Sequence, residues 1–191
     1  MDEPGNDLKG KIALISGASR GIGRGIAIAA ASKGAKVICV GRTLEKDGNR
    51  GSLQETVELI HSKGEEAVAF SCDVSNPEEI VDLFTSIAND LSAIDILVNN
   101  AGIYTAGSIQ DITLDDWAQG LAVNLTAPML MSKLAIPMMI KKGGGVIVNI
   151  TSGSAERYDR GHVAYSTSKA ALNRFTQNLA REWASKGVRV N

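Results

Sequence analysis

The chain has 191 residues, 44% of them hydrophobic, and a formal net charge of −1. That length and composition fit one domain, 1–191, with a sizeable core. The charge balance gives no electrostatic case for nucleic acid or an anionic membrane as a partner. Cys39 and Cys72, each near a strand end, make neither a disulfide framework nor a metal site and read as small buried residues.

The start, MDEPGNDLKG, is polar and acidic and lacks the basic and apolar regions of a signal peptide. The most apolar stretch, 122–140, is interrupted by Asn124, Lys133 and two prolines, so no membrane span is expected. These features predict a soluble protein of a reducing, cytoplasmic compartment.

Residues 11–16 (KIALIS) read as a buried strand, followed by a glycine-rich turn and a small-residue helix over 22–33 that Gly34 ends. A second strand is expected over 36–40. Next comes a helix over 53–62 with Leu53, Val57 and Ile60 on one face, ended by Gly64. The third strand is 67–71. Asn76, Pro77 and the carboxylates of Glu78 and Glu79 then mark a helix start, and that helix carries Ile80, Leu83, Phe84 and Ile87 inward. Residues 95–98 make strand four, 114–140 a long helical region expected to bend near Pro128, and 146–150 strand five. A last helix from 162 or 163 to 186 precedes strand six at 188–190. Strictly alternating strand and helix predicts a doubly wound, three-layer α/β/α parallel sheet of Rossmann type.

Ser16-Gly17-Ala18-Ser19-Arg20-Gly21-Ile22-Gly23 lies between the first strand and the first helix. Glycine at 17, 21 and 23 lets backbone approach a ligand and lets helix pack on sheet, and the helix N-terminus offers N–H groups to a pyrophosphate. The spacing Gly-x-x-x-Gly-x-Gly resembles the cofactor turn of the short-chain dehydrogenase/reductase family, with Ser16 where the family usually has Thr. Ser19 and Ile22 complete the expected contacts of this turn.

An Asp or Glu at the end of strand two would hydrogen-bond an NAD ribose 2′-hydroxyl. Here that place holds Gly41, followed by Arg42, and Arg20 is a second cation nearby. Arg20 alone could be a solvated surface arginine. A cation at a helix N-terminus opposes the dipole, however, and an anionic 2′-phosphate removes the conflict. The expected cofactor is therefore NADPH/NADP+. By resemblance, Asp73 would meet the adenine ring with Val74 packed beside it, although Asp73 reads equally well as a turn residue before Pro77. Asn99-Asn100-Ala101-Gly102 matches the family's NNAG segment: Asn99 reads as structural, and Asn100, Ala101 and Gly102 as lining the cofactor cleft.

Tyr165 and Lys169 are four apart on one helix face. A phenol ordinarily titrates near 10, so acid–base work near neutrality needs roughly 4 kcal/mol of preferential phenolate stabilisation. A lysine ammonium and the positive oxidised nicotinamide could provide it. Ser152 precedes Tyr165 by thirteen residues at a strand end, and Ser152, Tyr165 and Lys169 together resemble the family's Ser–Tyr–Lys set. The resemblance implies Tyr165 as general acid and base, Ser152 as hydrogen-bond donor to the carbonyl, Lys169 as its electrostatic partner and ribose ligand, and Asn124 as the holder of a relay water. The alternative for Asn124 taken alone is an amide that bends or bridges a helix. His61 and His162 are far apart and suggest no metal. His162 reads as a solvated loop residue, with the substrate mouth as the alternative.

The expected activity is NADPH-dependent reduction of a ketone or aldehyde, reversible as alcohol dehydrogenation. The alternatives are an NAD-dependent alcohol dehydrogenase or a truncated, non-catalytic dinucleotide- or partner-binding form. Family members usually continue beyond Asn191, so the sequence reads as a fragment or truncated variant lacking the last strand and the substrate-covering loop. Segments 105–111 and 153–161 are expected to border the substrate pocket. By resemblance, the helices over 114–140 and 163–186 would form a homodimer or homotetramer interface.

Overall fold

The computed structural model describes residues 7–45, 51–91, 93–157 and 160–191. Six parallel strands form one sheet in the order β3-β2-β1-β4-β5-β6. They are β1 (Ile12–Ser16), β2 (Lys36–Gly41), β3 (Ala67–Ser71), β4 (Ile96–Asn99), β5 (Gly145–Asn149) and β6 (Val188–Val190). The chain builds β1 to β3 outward in one direction and then crosses to β4 on the other side of β1. Ala13 consequently pairs with Val37 on one side and Ile96 on the other. A cleft opens at such a reversal, beyond the carboxyl ends of the strands.

Side chains alternate across the sheet. Leu14, Ile38, Leu97, Ile147, Val188 and Val190 face one core, which α3 (Pro77–Asp90), α5 (Ala127–Lys141) and α6 (Val163–Trp183) fill. Ala13, Ile15, Val37, Cys39 and Val98 face the other, under α1 (Gly21–Ala31) and α2 (Leu53–His61). Both cysteines are free and buried, and burial raises the Cys39 thiol to about 12.

In α2 Leu53, Val57 and Ile60 pack against one core as expected, with Val57 half-buried and Thr56 buried beside them. The long helical region is irregular just before Pro128. α4 (Leu114–Leu121) passes into a π turn, Ala122–Thr126, one turn earlier, where the Ala127 N–H reaches back to the Ala122 carbonyl. A proline disturbs the turn before it, because its missing N–H would have bonded a carbonyl four residues back. Finally, Leu114–Lys141 is long and apolar enough by length and composition to cross a bilayer. Ala127, Met131, Ala135, Ile136 and Met139 bury that apolar character in the core instead.

At the opposite end of the sheet from the cleft, Asp95 anchors β4. Its carboxylate accepts from the Ile12 N–H at 2.9 Å, from Lys142 Nζ at 2.8 Å and from Lys11 Nζ at 3.4 Å. Burial alone would raise this carboxyl, but the Lys142 hydrogen bond, the Ile12 N–H and the two lysine charges outweigh it and hold it low. A depressed folded-state value means that the unfolded chain binds the proton more readily, so the contribution is present above the ordinary carboxyl value of about 4 and is lost as pH falls through the lower folded value. Asp95→Asn is expected to cost about 1–3 kcal/mol at pH 7. In denaturant titrations the gap to the parent chain should shrink as pH falls below 4. A gap independent of pH would show that the charge contributes nothing.

Candidate active site

A cavity of about 370 Å³ lies at the carboxyl ends of β1 to β4. Gly17, Ser19, Arg20, Gly21, Ile22 and Gly23 line it after β1, Arg42 and Thr43 after β2, Asp73 and Val74 after β3, and Asn100, Ala101 and Gly102 after β4. Every residue expected to touch the cofactor from the first four strands therefore meets in one place.

The turn is held from behind. The Ser16 hydroxyl donates to the Val98 carbonyl at 3.3 Å and accepts from the Asn100 and Ala101 N–H groups, both at 3.0 Å. Asn100 Nδ2 donates to the carbonyls of Ser16 at 2.9 Å and Gly17 at 3.3 Å. Asn100 thus lines the cavity while its amide is committed to the turn. A Cβ at Gly17 would stand 2.8 Å from Asn100 Nδ2 and 3.0 Å from the Ala101 Cα. Bare backbone is required there for the turn to pack against the residues that follow β4. Among the described residues, nothing accepts from the N–H groups of Ser19 and Arg20.

Both Arg20 and Arg42 line the cavity. Arg20 is the extended N-cap of α1 and is exposed, and the Arg42 side chain is 64% exposed with Nη1 4.0 Å from Asp73 Oδ2. Asp73 is the turn residue of one reading and also faces the cavity. Its Oδ1 accepts from the N–H (2.9 Å) and hydroxyl (2.8 Å) of Ser75, closing a turn, while the residue also lines the cavity. Cys72 lines the same wall, its thiol raised to about 11 by burial and by the charges of Glu79 and Asp73.

Beyond Gly102 lies the second half of the site. A Cβ at Gly102 would be 3.4 Å from Asn124 Oδ1 and 3.6 Å from Lys169 Nζ, so this glycine separates the cavity from α6. Lys169 is buried. Its Nζ donates to the Ile150 carbonyl at 2.8 Å and stands 6.0 Å from the centroid of the Tyr165 ring. Loss of solvent pushes its ammonium down to about 8. Ser152 caps a 3-10 turn, Gly153–Ala155, that packs on α6. Its Oγ accepts from the Ser154 N–H at 3.2 Å, and its own O–H meets no acceptor among the described residues.

Asn124 is fully buried in the π turn. Its Oδ1 accepts from the Ile103 N–H at 3.0 Å, and its Nδ2 donates to the Ile103 carbonyl at 2.9 Å and to Ser168 Oγ at 3.0 Å. Ser168 in turn donates to the Tyr165 carbonyl at 2.7 Å. The side chain is therefore a bridge from the segment after β4 to the Tyr165–Lys169 turn of α6.

The model of the short chain dehydrogenase family matches residues 11–191. The chain belongs to that family. Over 184 residues it is 37% identical to D-threitol dehydrogenase of Mycolicibacterium smegmatis, covering 96% of this chain and 68% of that protein. Among solved structures, a metagenomic short-chain oxidoreductase in complex with NADP superposes with a TM-score of 0.90 at 34% identity, over 96% of this chain and 81% of that one. A 7α-hydroxysteroid dehydrogenase complexed with NADH and 7-oxo glycochenodeoxycholic acid superposes with a TM-score of 0.88 at 35% identity, over 97% and 70%.

Two contributors escaped the sequence reading. Tyr104 stands edge-on to Tyr165, with ring centroids 5.2 Å apart, and edge-on to His162 at 5.1 Å. Its place two residues past Gly102 was the available signal. His162 is half-buried at the start of α6 against that ring rather than a solvated loop residue, and Gly107 bridges to it. The other contributor is Arg24, which anchors the glycine turn. Of the segment 153–161, residues 158 and 159 lie outside the described residues. Among the described residues no group of three His, Cys, Asp or Glu is placed to hold a metal ion.

Proposed function

We propose that this protein is an NADPH-dependent carbonyl reductase, reversible as an alcohol dehydrogenase, acting on a ketone, aldehyde or secondary alcohol. The observation that carries the reading is the meeting of a bare-backbone cradle with two arginines and, across Gly102, the Tyr165–Lys169 face of α6. The glycine turn would hold the pyrophosphate, Arg20 and Arg42 the 2′-phosphate, and Asp73 and Val74 the adenine. The nicotinamide, when bound, supplies or receives the hydride.

Every other step belongs to the chain. Ser152 donates its free O–H to the carbonyl oxygen and stabilises the charge that develops there. Tyr165 gives that oxygen its proton in reduction and takes it back in oxidation. Lys169, protonated below about 8, favours the phenolate that remains. Both N–H groups of the Asn124 amide are used in bridging, so a relay water would be held by its main-chain carbonyl, whose usual helical donor four residues on is Pro128, without an N–H. The Tyr104 ring would wall the substrate beside Tyr165. Apolar side chains on the outer surface of the long helices, Leu114, Met129, Ile140 and Val163, support assembly as a homodimer or homotetramer.

Titration of the full chain with NADPH and NADH, followed by nicotinamide fluorescence, tests the cofactor assignment. NADPH is expected to bind at least tenfold more tightly, a difference of about 1.4 kcal/mol that two exposed arginines can supply. Arg42→Ala should remove most of that preference. Equal affinities in the parent chain would overturn the NADPH reading and leave the fold untouched.

A further inference from the structure

Arg24, on the first turn of α1, lies outside the cavity lining yet touches more of the turn's support than any other side chain described above. Its Nη2 donates to the Ser19 carbonyl at 2.6 Å, to Glu55 Oε2 at 2.9 Å and to the Ser52 carbonyl at 3.4 Å, and its Nε donates to Thr56 Oγ1 at 3.0 Å. Thr56 Oγ1 donates in turn to the Ala18 carbonyl at 2.9 Å. Two consecutive carbonyls of the glycine turn are therefore pulled toward α2. The peptides are trans, so each N–H points opposite to its carbonyl. Holding the Ala18 and Ser19 carbonyls consequently aims the N–H groups of Ser19 and Arg20 away from α2, and it fixes the direction in which the chain carries Arg20.

The α2 end of the clamp is itself rigid. Ser52 and Glu55 form a reciprocal capping box, with Ser52 Oγ accepting from the Glu55 N–H and Glu55 Oε2 accepting from the Ser52 N–H. Gly51 passes over the junction, where a Cβ would stand 2.5 Å from Arg24 Nη2 and 2.6 Å from the Ser19 oxygen. Glu55 balances the guanidinium charge locally, so Arg24 acts through geometry rather than as a phosphate ligand.

We propose that Arg24 is a positioning residue for cofactor selection, locking the glycine turn to the capping box of α2 so that Arg20 is held in place for a 2′-phosphate. This rests on the dinucleotide reading above. Arg24→Met keeps an apolar stem and removes every hydrogen bond that Arg24 makes, leaving the Thr56–Ala18 bond. It is expected to raise the NADPH dissociation constant by about tenfold or more and the NADH constant by less, so that discrimination narrows while kcat at saturating NADPH stays within about threefold. Arg24→Lys, able to reach a single acceptor, should recover part of the loss. Thr56→Val releases the Ala18 carbonyl and takes the acceptor from Arg24 Nε, leaving the Arg24 bonds to Ser19 and Glu55 in place, and should weaken NADPH binding in the same sense; it carries the test if Arg24→Met does not fold. Thermal unfolding of each ligand-free variant shows whether the fold is intact. A folded Arg24→Met chain that binds both dinucleotides like its parent, or loses both equally, overturns the proposal, as does normal NADPH binding by a folded Thr56→Val chain. A parent chain that binds neither dinucleotide instead overturns the reading on which the proposal rests.

Discussion

Tyr165→Phe is expected to lower kcat for carbonyl reduction by about 10²–10⁴, the usual worth of a positioned general acid, with the NADPH dissociation constant nearly unchanged. The substitution removes one oxygen and keeps the ring, so the edge contact with Tyr104 at 5.2 Å survives. The turn and its arginines, which would carry the binding, lie across Gly102 from the altered atom. Activity should fall while affinity persists, the signature of an interaction made in the transition state. The pH profile adds a second reading. Burial lowers Lys169 to about 8, so its ammonium is charged below that pH and loses the charge above it. If that charge assists proton donation, kcat/KM for reduction falls as pH rises through about 8, and Lys169→Met is slow at every pH without that inflection. Stopped-flow reduction of a simple ketone by NADPH measures both effects. A Tyr165→Phe chain that keeps more than a tenth of the parent rate would remove Tyr165 from the chemistry.

What could be read from the residues, and what could not, follows the range of the forces involved. Strand β1 is a run of apolar residues ended by a hydroxyl and glycine, and α3 opens on Asn76 and Pro77; both are local signals, and their boundaries agree with the structure to within a residue or two. The cavity lining was legible because strand order in a doubly wound sheet converts four separated strand ends into one cleft. The π turn was not, since it depends jointly on Pro128 and on what Asn124 meets when buried, namely Ile103 and Ser168. Arg24 was invisible for a similar reason. Its partners at Ser52, Glu55 and Thr56 lie about thirty residues on, although the Ser-x-x-Glu spacing that anchors them is a local signal that could have been read. Tyr104 needed the contact between two loops, Gly107 with His162, before its ring could be placed beside Tyr165.

Two glycines on the same helix face opposite fates under the same substitution. Gly23 packs so closely that a Cβ would fall within contact distance of the Gly17 carbonyl oxygen and Asn100 Nδ2, and 2.8 Å from the Gly17 carbonyl carbon. Backbone cannot swing aside as a side chain can, so α1 must move off β1 or the turn must open. Overpacking of that kind costs about 1–3 kcal/mol or more, and it falls on the cradle itself. Gly23→Ala is expected to weaken NADPH binding by about a hundredfold, or 2.7 kcal/mol, and to lower the thermal midpoint. Gly25, two residues on, is exposed with nothing within 4 Å of its would-be Cβ. Gly25→Ala should stabilise the helix by about 0.5–1 kcal/mol through lost chain entropy and leave binding alone. The pair isolates close approach from helix propensity, because both changes favour helix equally and only one fills the cradle. Calorimetric unfolding and NADPH titration of the two variants, side by side, decide it. If Gly23→Ala binds as tightly as Gly25→Ala, the turn is not where the dinucleotide sits.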